Sequence, residues 1–274
     1  MVKYYLPETL EDALTMYFDS PELVPYSGGS DIMVNSACES QEFLFLNRIS
    51  ELRQICSDNE FIRFGAACTF AEVINHDLTP SILKTACAQI AAPAIRNVGT
   101  LGGNIANGSA KADTALIFMV TNSLLLLQTR EAQRILPLKD FYLGGSKTAI
   151  KQSELIVEIL IPKQNSDKYY YEKVGARKAL SISRVSFAGI LDIEDEIIKN
   201  CATAFGAVSD VIIRPSEADE MLIGKSLKEA KDLKEAYIAA LDKVIIPRRG
   251  RVSVEFRKDV CMNLVRDFLD SNGI

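Results

Sequence analysis

Ser27-Gly28-Gly29-Ser30-Asp31 and, later in the chain, Ile95-Arg96-Asn97-Val98-Gly99-Thr100-Leu101-Gly102-Gly103-Asn104 are the stretches on which the reading of this sequence turns. Paired glycines let a backbone reach φ > 0 and approach a ligand closely, and a flanking Ser, Thr or Asn adds a neutral hydrogen-bonding group. Each run therefore looks like a cradle for phosphate, although either one by itself is also satisfied by a tight turn. Neither is a nucleotide fingerprint. The spacing Gly99-Thr100-Leu101-Gly102-Gly103-Asn104 does not fit G-x-G-x-x-G. Gly145-Ser146-Lys147-Thr148 has a residue between Gly and Lys, and Gly224-Lys225-Ser226 has Asp219 where a P-loop needs its first glycine.

Composition narrows the field. With 274 residues, 48% hydrophobic and 24% charged, the chain can bury a large core in one domain or a few smaller ones. A net charge of −5 argues against nucleic acid and anionic membranes as partners, and an anionic ligand would be held by backbone N–H groups and hydroxyls. The one basic run, Pro247-Arg248-Arg249-Gly250-Arg251, is too short for a nucleic-acid site and reads as a solvated loop or a partner contact. No apolar run approaches the ~20 residues of a membrane span, and the start lacks the apolar region of a signal peptide, so a cytoplasmic location without membrane insertion is expected. The six cysteines, Cys38, Cys56, Cys68, Cys87, Cys201 and Cys261, are scattered without C-x-x-C, which leaves buried reduced thiols as the default. His76 is the only histidine, so a Ser-His-Asp triad or a multi-histidine metal site has little to draw on.

Local signals divide the chain into two patterns. Thr9 caps a helix expected over residues 10–18, and the Thr69/Glu72 pair has capping-box spacing. Residues 24–26, 43–46, 61–66, 124–127, 135–138 and 155–161 read as strands. A helix over 81–92 is expected to be closed by Pro93, with an irregular segment leading into the second glycine run. The polar link 163–167 marks the best boundary. Beyond it come strands at 169–173, 183–193 and 197–208, then helices at 216–222, 226–243 and 253–269, a β-then-α order of the α+β kind.

The ordered combination of residues 95–113, Tyr26-Ser27-Gly28-Gly29-Ser30-Asp31-Ile32, the Pro7-Glu8-Thr9-Leu10-Glu11 start, 140–144, 154–162 and Glu255-Phe256-Arg257-Lys258 resembles the FAD-binding (medium) subunit of the molybdenum hydroxylase family, like the flavin modules of xanthine dehydrogenase and carbon monoxide dehydrogenase. The resemblance spans nearly the whole chain. It implies an α+β fold: a two-subdomain FAD-binding domain of the p-cresol methylhydroxylase/vanillyl-alcohol oxidase type over 1–165, subdomains about 1–52 and 53–165, then a smaller C-terminal domain over 168–274.

Carried over by position, the likeness implies that Pro25, Tyr26, Ser27, Gly28, Gly29, Ser30, Asp31 and Ile32 form a first cofactor loop, with backbone amides and Ser30 on the pyrophosphate. It implies that Thr100, Gly102, Gly103 and Asn104 form a second. Asp113 falls where the family places a carboxylate on the sugar part of FAD, and the reading that it merely starts a helix stays open. Ile90 and Ile156 match positions lining the flavin, as ordinary core residues also would. Lys173 matches a lysine brought to the flavin, where a cation favours electron uptake, with a solvated strand lysine as the alternative. Arg96 either approaches a phosphate or anchors its loop to neighbouring carbonyls. No side chain is assigned a catalytic role and no metal ligand is assigned.

FAD is expected to be non-covalent, with the molybdenum cofactor and iron–sulfur clusters on partner subunits of one complex and a final acceptor such as NAD. Two rival readings remain: a stand-alone flavin oxidoreductase, which would oxidise substrate alone, and an assembly subunit that has lost FAD, which would purify colourless.

Overall fold

The structure, a computed structural model, describes residues 4–34, 41–163 and 168–274; Cys38 and most of the polar link, Gln164 to Asp167, lie outside the described residues. The chain begins with β1 (Tyr4–Tyr5), α1 (Leu10–Asp19), β2 (Val24–Tyr26) and β3 (Phe43–Phe45). β4 (Ile55–Ser57), β5 (Phe61–Gly65), α2 (Phe70–Asn75), α3 (Ser81–Ala88), α4 (Pro93–Arg96), α5 (Leu101–Ala106) and α6 (Asp113–Val120) follow. Next come β6 (Leu124–Gln128), β7 (Gln133–Pro137), β8 (Tyr142–Gly144), β9 (Lys147–Thr148) and β10 (Leu155–Pro162). The chain closes with β11 (Tyr169–Gly175), β12 (Ser183–Glu194), β13 (Ile197–Gly206), α7 (Ser216–Asp219), α8 (Leu227–Val244) and α9 (Val254–Ser271).

Two compact units emerge, and no single cut in the chain separates them. The first is Met1–Gly108 with Asn122–Leu143 and Lys147–Lys163; the second is Gln164–Ile274 with Ser109–Thr121 and Gly144–Ser146. In the first, β1, β3 and β2 form a parallel sheet in that order, and a five-stranded antiparallel sheet runs β4-β5-β10-β6-β7. The apolar run of β10 lies at the centre of that sheet, where six of its eight residues are buried, the reason it reads as continuous rather than alternating. Ala13 and Leu14 of α1 share one core with Leu44, Ile49, Leu52, Leu155 and Val157, tying the small parallel sheet to the larger one.

In the second unit, β11, β12 and β13 form an antiparallel sheet packed against α8 and α9. α6 packs against β12 and β13, and all eight of its residues are buried, which explains why it groups with this unit although it precedes β6 in sequence. The rings of Tyr170, Phe187 and Phe268 meet at centroid distances of 5.7 to 6.2 Å. Gly189 makes that possible, since a Cβ there would stand 2.8 Å from the Phe268 ring.

Capping chemistry sets the helix starts. Thr9 accepts from the Asp12 N–H, both halves of the capping box are present at Thr69/Glu72 and at Ser226/Glu229, and Ser253 accepts from the Phe256 N–H. Two expectations need correction. The helix expected to reach residue 92 stops at Ala88: Ala91 takes φ +42°, Ala92 before proline is extended, and Pro93 opens α4 as its first residue instead of closing a helix. The helix expected over 216–222 ends at Asp219, after which the Met221 and Leu222 N–H groups bond only three residues back.

The stability of each unit is open to test. Phe268→Ala should cost the C-terminal unit about 3–5 kcal/mol, because a fully buried ring leaves a cavity among rigid aromatic neighbours. Urea unfolding followed by circular dichroism measures it, the chain having no tryptophan. In the first unit, burial pushes the Glu154 carboxyl up, but the two-pronged Arg134 guanidinium (2.7 and 2.8 Å) and the Lys151 N–H bring it below the ordinary glutamate value. A depressed folded value means stability that is complete above the ordinary glutamate value and lost as pH falls through the folded one. Glu154→Gln should therefore flatten the loss of urea midpoint between about pH 5 and pH 3.

Candidate cofactor site

β2 delivers the first glycine run. Tyr26 ends that strand, its ring packed on Phe45 and Phe43 at 4.5 and 5.5 Å, and the chain then turns through residues 27–31 into a 3-10 turn at Ile32–Val34. Gly29 has φ +68°, and the Tyr26 hydroxyl occupies the space a Cβ there would need, so two independent constraints require glycine. Gly28 is tighter still: a Cβ would overlap the Val98 carbonyl oxygen and lie 3.0 Å from the Gly99 Cα. The two runs thus meet, residue 28 of one lying on residues 98–99 of the other.

The hydrogen bonds around the first run leave its donors open. The Gly29 and Asp31 carbonyls accept from the Met33 and Val34 N–H groups, and the Tyr26 carbonyl accepts from Leu46. Among the described residues, no acceptor meets the N–H groups of Gly28, Gly29, Ser30 or Asp31. The Ser27 Oγ is buried and has no partner. A row of N–H groups without protein acceptors beside a hydroxyl that is itself buried and unpartnered is a site for anion oxygens, since an orphaned buried polar group is costly and the neighbouring amides are open to a ligand. The residues present therefore fit a diphosphate-bearing cofactor.

The second run is different from its expected form. It is no irregular loop: Leu101 to Ala106 form α5, with Thr100 as N-cap. Its amides are committed to the protein, Leu101 to the Cys68 carbonyl at 3.0 Å, Gly102 to the Ala66 carbonyl at 2.8 Å, Gly103 to the Thr100 Oγ1 at 3.2 Å and Asn104 to the Thr100 carbonyl at 3.0 Å. Gly102 is small because α5 lies against Ala66, whose Cβ would stand 2.7 Å from an added methyl. Arg96 is an anchor, its Nη1 donating to the Ile90 and Ala91 carbonyls at 2.9 and 2.7 Å. Ile90 is half-buried and Ile156 is buried in β10.

Asp113 and Lys173 belong to the second unit and meet there. Asp113 is the first residue of α6, not its cap; Ala112 holds that position without a side-chain bond. Its carboxylate accepts from Lys173 Nζ at 2.6 Å, Ser183 Oγ at 3.0 Å and the Tyr171 hydroxyl at 3.3 Å, and the Asp113 and Lys173 side chains are each only 8% exposed. Tyr171 and Ser183 were not foreseen. The signal was present, because alternate residues of a strand share a face and Tyr171 precedes Lys173 by two.

Of the five described cysteines only Cys56 is exposed. Burial pushes the Cys68 and Cys261 thiols up to about 12, so they stay protonated and unreactive at neutral pH.

The family described as "FAD binding domain in molybdopterin dehydrogenase" matches residues 1–164. The chain belongs to that family. A second family, "CO dehydrogenase flavoprotein C-terminal domain", matches residues 169–271. The xanthine dehydrogenase FAD-binding subunit of Escherichia coli O157:H7 is 27% identical over 273 residues, covering 96% of this chain and 93% of its own length. The nicotinate dehydrogenase FAD-subunit of Eubacterium barkeri is 28% identical over 288 residues, with 98% and 96% covered. The crystal structure of a Cu,Mo-CO dehydrogenase in its cyanide-inactivated form contains a chain that superposes with a TM-score of 0.88 at 25% identity, covering 97% of this chain and 95% of that one. The resemblance read in the sequence holds: the chain has the expected FAD-binding fold with a C-terminal α+β region and is an oxidoreductase subunit of the xanthine and CO dehydrogenase type.

Gly28→Ala tests the contact between the runs. Overpacking of this kind costs about 1–3 kcal/mol of stability and forces the two runs apart, so the variant should melt at lower temperature and bind FAD more weakly than wild type while the circular dichroism spectrum is kept. Flavin absorbance of the purified protein, titrated with FAD, provides the measurement.

Proposed function

We propose that this chain is the FAD-carrying electron-transfer subunit of a multi-subunit molybdenum hydroxylase, taking electrons from iron–sulfur clusters of one partner subunit, which receives them from a molybdenum-binding partner, and passing them to a final acceptor such as NAD. The observation that carries the reading is the row of open amides at residues 28–31 beside the unpartnered Ser27 hydroxyl, in a chain matched over most of its length by FAD-binding subunits.

Bound FAD would supply exchange between single-electron carriers and a two-electron acceptor. This chain's residues would do the placing. The N–H groups of residues 28–31 and the Ser27 hydroxyl would bond diphosphate oxygens, which suits a chain of net negative charge because neutral donors do the holding. Thr100, Gly102, Gly103 and Asn104 would form the second wall of the site, Gly102 seating α5 against Ala66 and the exposed Gly103 offering close approach, with shape mattering more than their committed amides. Pro25, Tyr26 and Ile32 would frame the cradle, and Ile90 and Ile156 would line the ring system. Lys173 would present its charge to the cofactor from a position held by Asp113, Tyr171 and Ser183, and the Asp113 carboxylate would accept from the cofactor's sugar hydroxyls.

Ser27→Ala separates a ligand-binding hydroxyl from a structural one. Removing a buried hydroxyl with no protein partner should leave the stability of the FAD-free chain unchanged or raised, while FAD affinity drops about tenfold. The assignment as a whole is tested by purifying the complex from its native source. Molybdenum, iron and FAD should travel together, and NADH added without oxygen should bleach the flavin absorbance. A chain that oxidises substrate alone would contradict the reading.

A further inference from the structure

We infer that residues 247–253, with Arg257 beneath them, form a docking surface for a carboxylate-bearing face of a partner protein. The inference rests on the proposed membership of a multi-subunit complex and adds where one partner is gripped. Arg257 is 8% exposed, yet no carboxylate among the described residues pairs with it. Its Nη1 donates to the Ala207 and Val208 carbonyls at 2.8 and 3.4 Å, its Nε is buried without a partner, and its Nη2 lies directly below Gly250, where a Cβ would overlap it. The other deeply buried guanidinium of this unit, Arg214, shares the unpartnered Nε but is paired with Asp219, so the missing carboxylate is what distinguishes Arg257. A buried cation with only neutral acceptors is costly unless an anion completes its shell.

The surroundings say what kind of anion. Arg248 is paired with Asp210 and Lys258 with Asp242, whereas Arg249 and Arg251 are exposed and have no carboxylate partner among the described residues. Glu255, exposed in the first turn of α9, and Asp259, exposed one turn on, are the other acids in this stretch. Exposed Val244, Ile246 and Phe256 flank the arginines in sequence, Ile246 at 72% exposure. Lys258 holds the start of α9 to the end of α8 through the Ile245 carbonyl at 2.7 Å, and the Arg248 N–H fixes the loop to the Val208 carbonyl at 2.9 Å. A free anion has no use for exposed apolar side chains. Arginine with aromatic and aliphatic residues is the composition of protein–protein interface centres, and a local cationic patch on an acidic chain selects an acidic face.

The test uses the complex from its native source with the double substitution Arg249→Glu/Arg251→Glu, against Lys228→Glu/Lys231→Glu on exposed positions of α8 as a control of equal charge change. The first pair should weaken association with the partner subunits at least about tenfold, more so at low salt, and leave FAD content unchanged; the control should do neither. Arg257→Lys should weaken association in the same direction by removing the planar fork. If it fails to fold, the surface pair still decides. Association unchanged by Arg249→Glu/Arg251→Glu would overturn the inference and leave the proposed function standing. Inorganic phosphate that raises the melting temperature of wild type but not of Arg257→Lys, with assembly unaffected, would make this a small-anion site and also overturn it. A flavin-loaded chain that assembles with no partner would overturn both readings.

Discussion

The seating of Gly28 on Val98 and Gly99 is the contact on which the candidate cofactor site depends. Atoms at that junction are close enough that only a hydrogen fits on the Gly28 Cα, so the first turn cannot approach the second in any sequence with a side chain there. Behind it, Gly99 gives its carbonyl to the Phe70 N–H, and Gly102 gives its N–H to Ala66, at the end of β5. The parallel sheet that carries the first turn and the antiparallel sheet that supports the second are already tied through the core of Leu44, Leu52, Leu155 and Val157. The turns are therefore positioned by two sheets rather than by their own flexibility.

Within that junction the two glycine runs have divided the work. One run keeps its amides open and its hydroxyl unpartnered; the other spends its amides on Cys68, Ala66 and Thr100 and contributes shape. Free donors that had to be ordered at the moment of binding would cost conformational entropy, and a cradle braced by a helix with satisfied bonds avoids part of that cost. The same logic governs the ionic groups of the second unit. Asp113 is met by three donors and Asp219 by Thr203, Tyr237 and Arg214, so each buried carboxylate has local partners including a cation, in contrast to Arg257, which has no carboxylate partner among the described residues.

Much of this was legible in the sequence because the signals were local. The capping pairs at Thr69/Glu72 and Ser226/Glu229 and the apolar run of β10 each determine their element without help from distant residues. What escaped was decided by partners far along the chain. Gly102 and Gly103 in the first turn have poor helix propensity, yet α5 forms because Thr100 caps it, Cys68 and Ala66 accept its first N–H groups and Ala66 receives its glycine face. The stop at Ala88 hangs on the left-handed turn of Ala91, which Arg96 holds by its carbonyl. α6 reads as part of the segment around it, and only the sheet of β12 and β13 shows which unit buries it. Of the candidate site, the two glycine runs stood out in the sequence, whereas their meeting at Gly28 and Val98 and the roles of Tyr171 and Ser183 as partners of Asp113 required the fold.

Amide hydrogen exchange on the FAD-free and FAD-loaded protein tests the central claim most directly. Slow exchange appearing on loading at residues 28–31, with residues 101–104 already protected beforehand, is what the division between open and committed amides requires. Protection that appears instead at 101–104 while 28–31 stay as fast as before would contradict it.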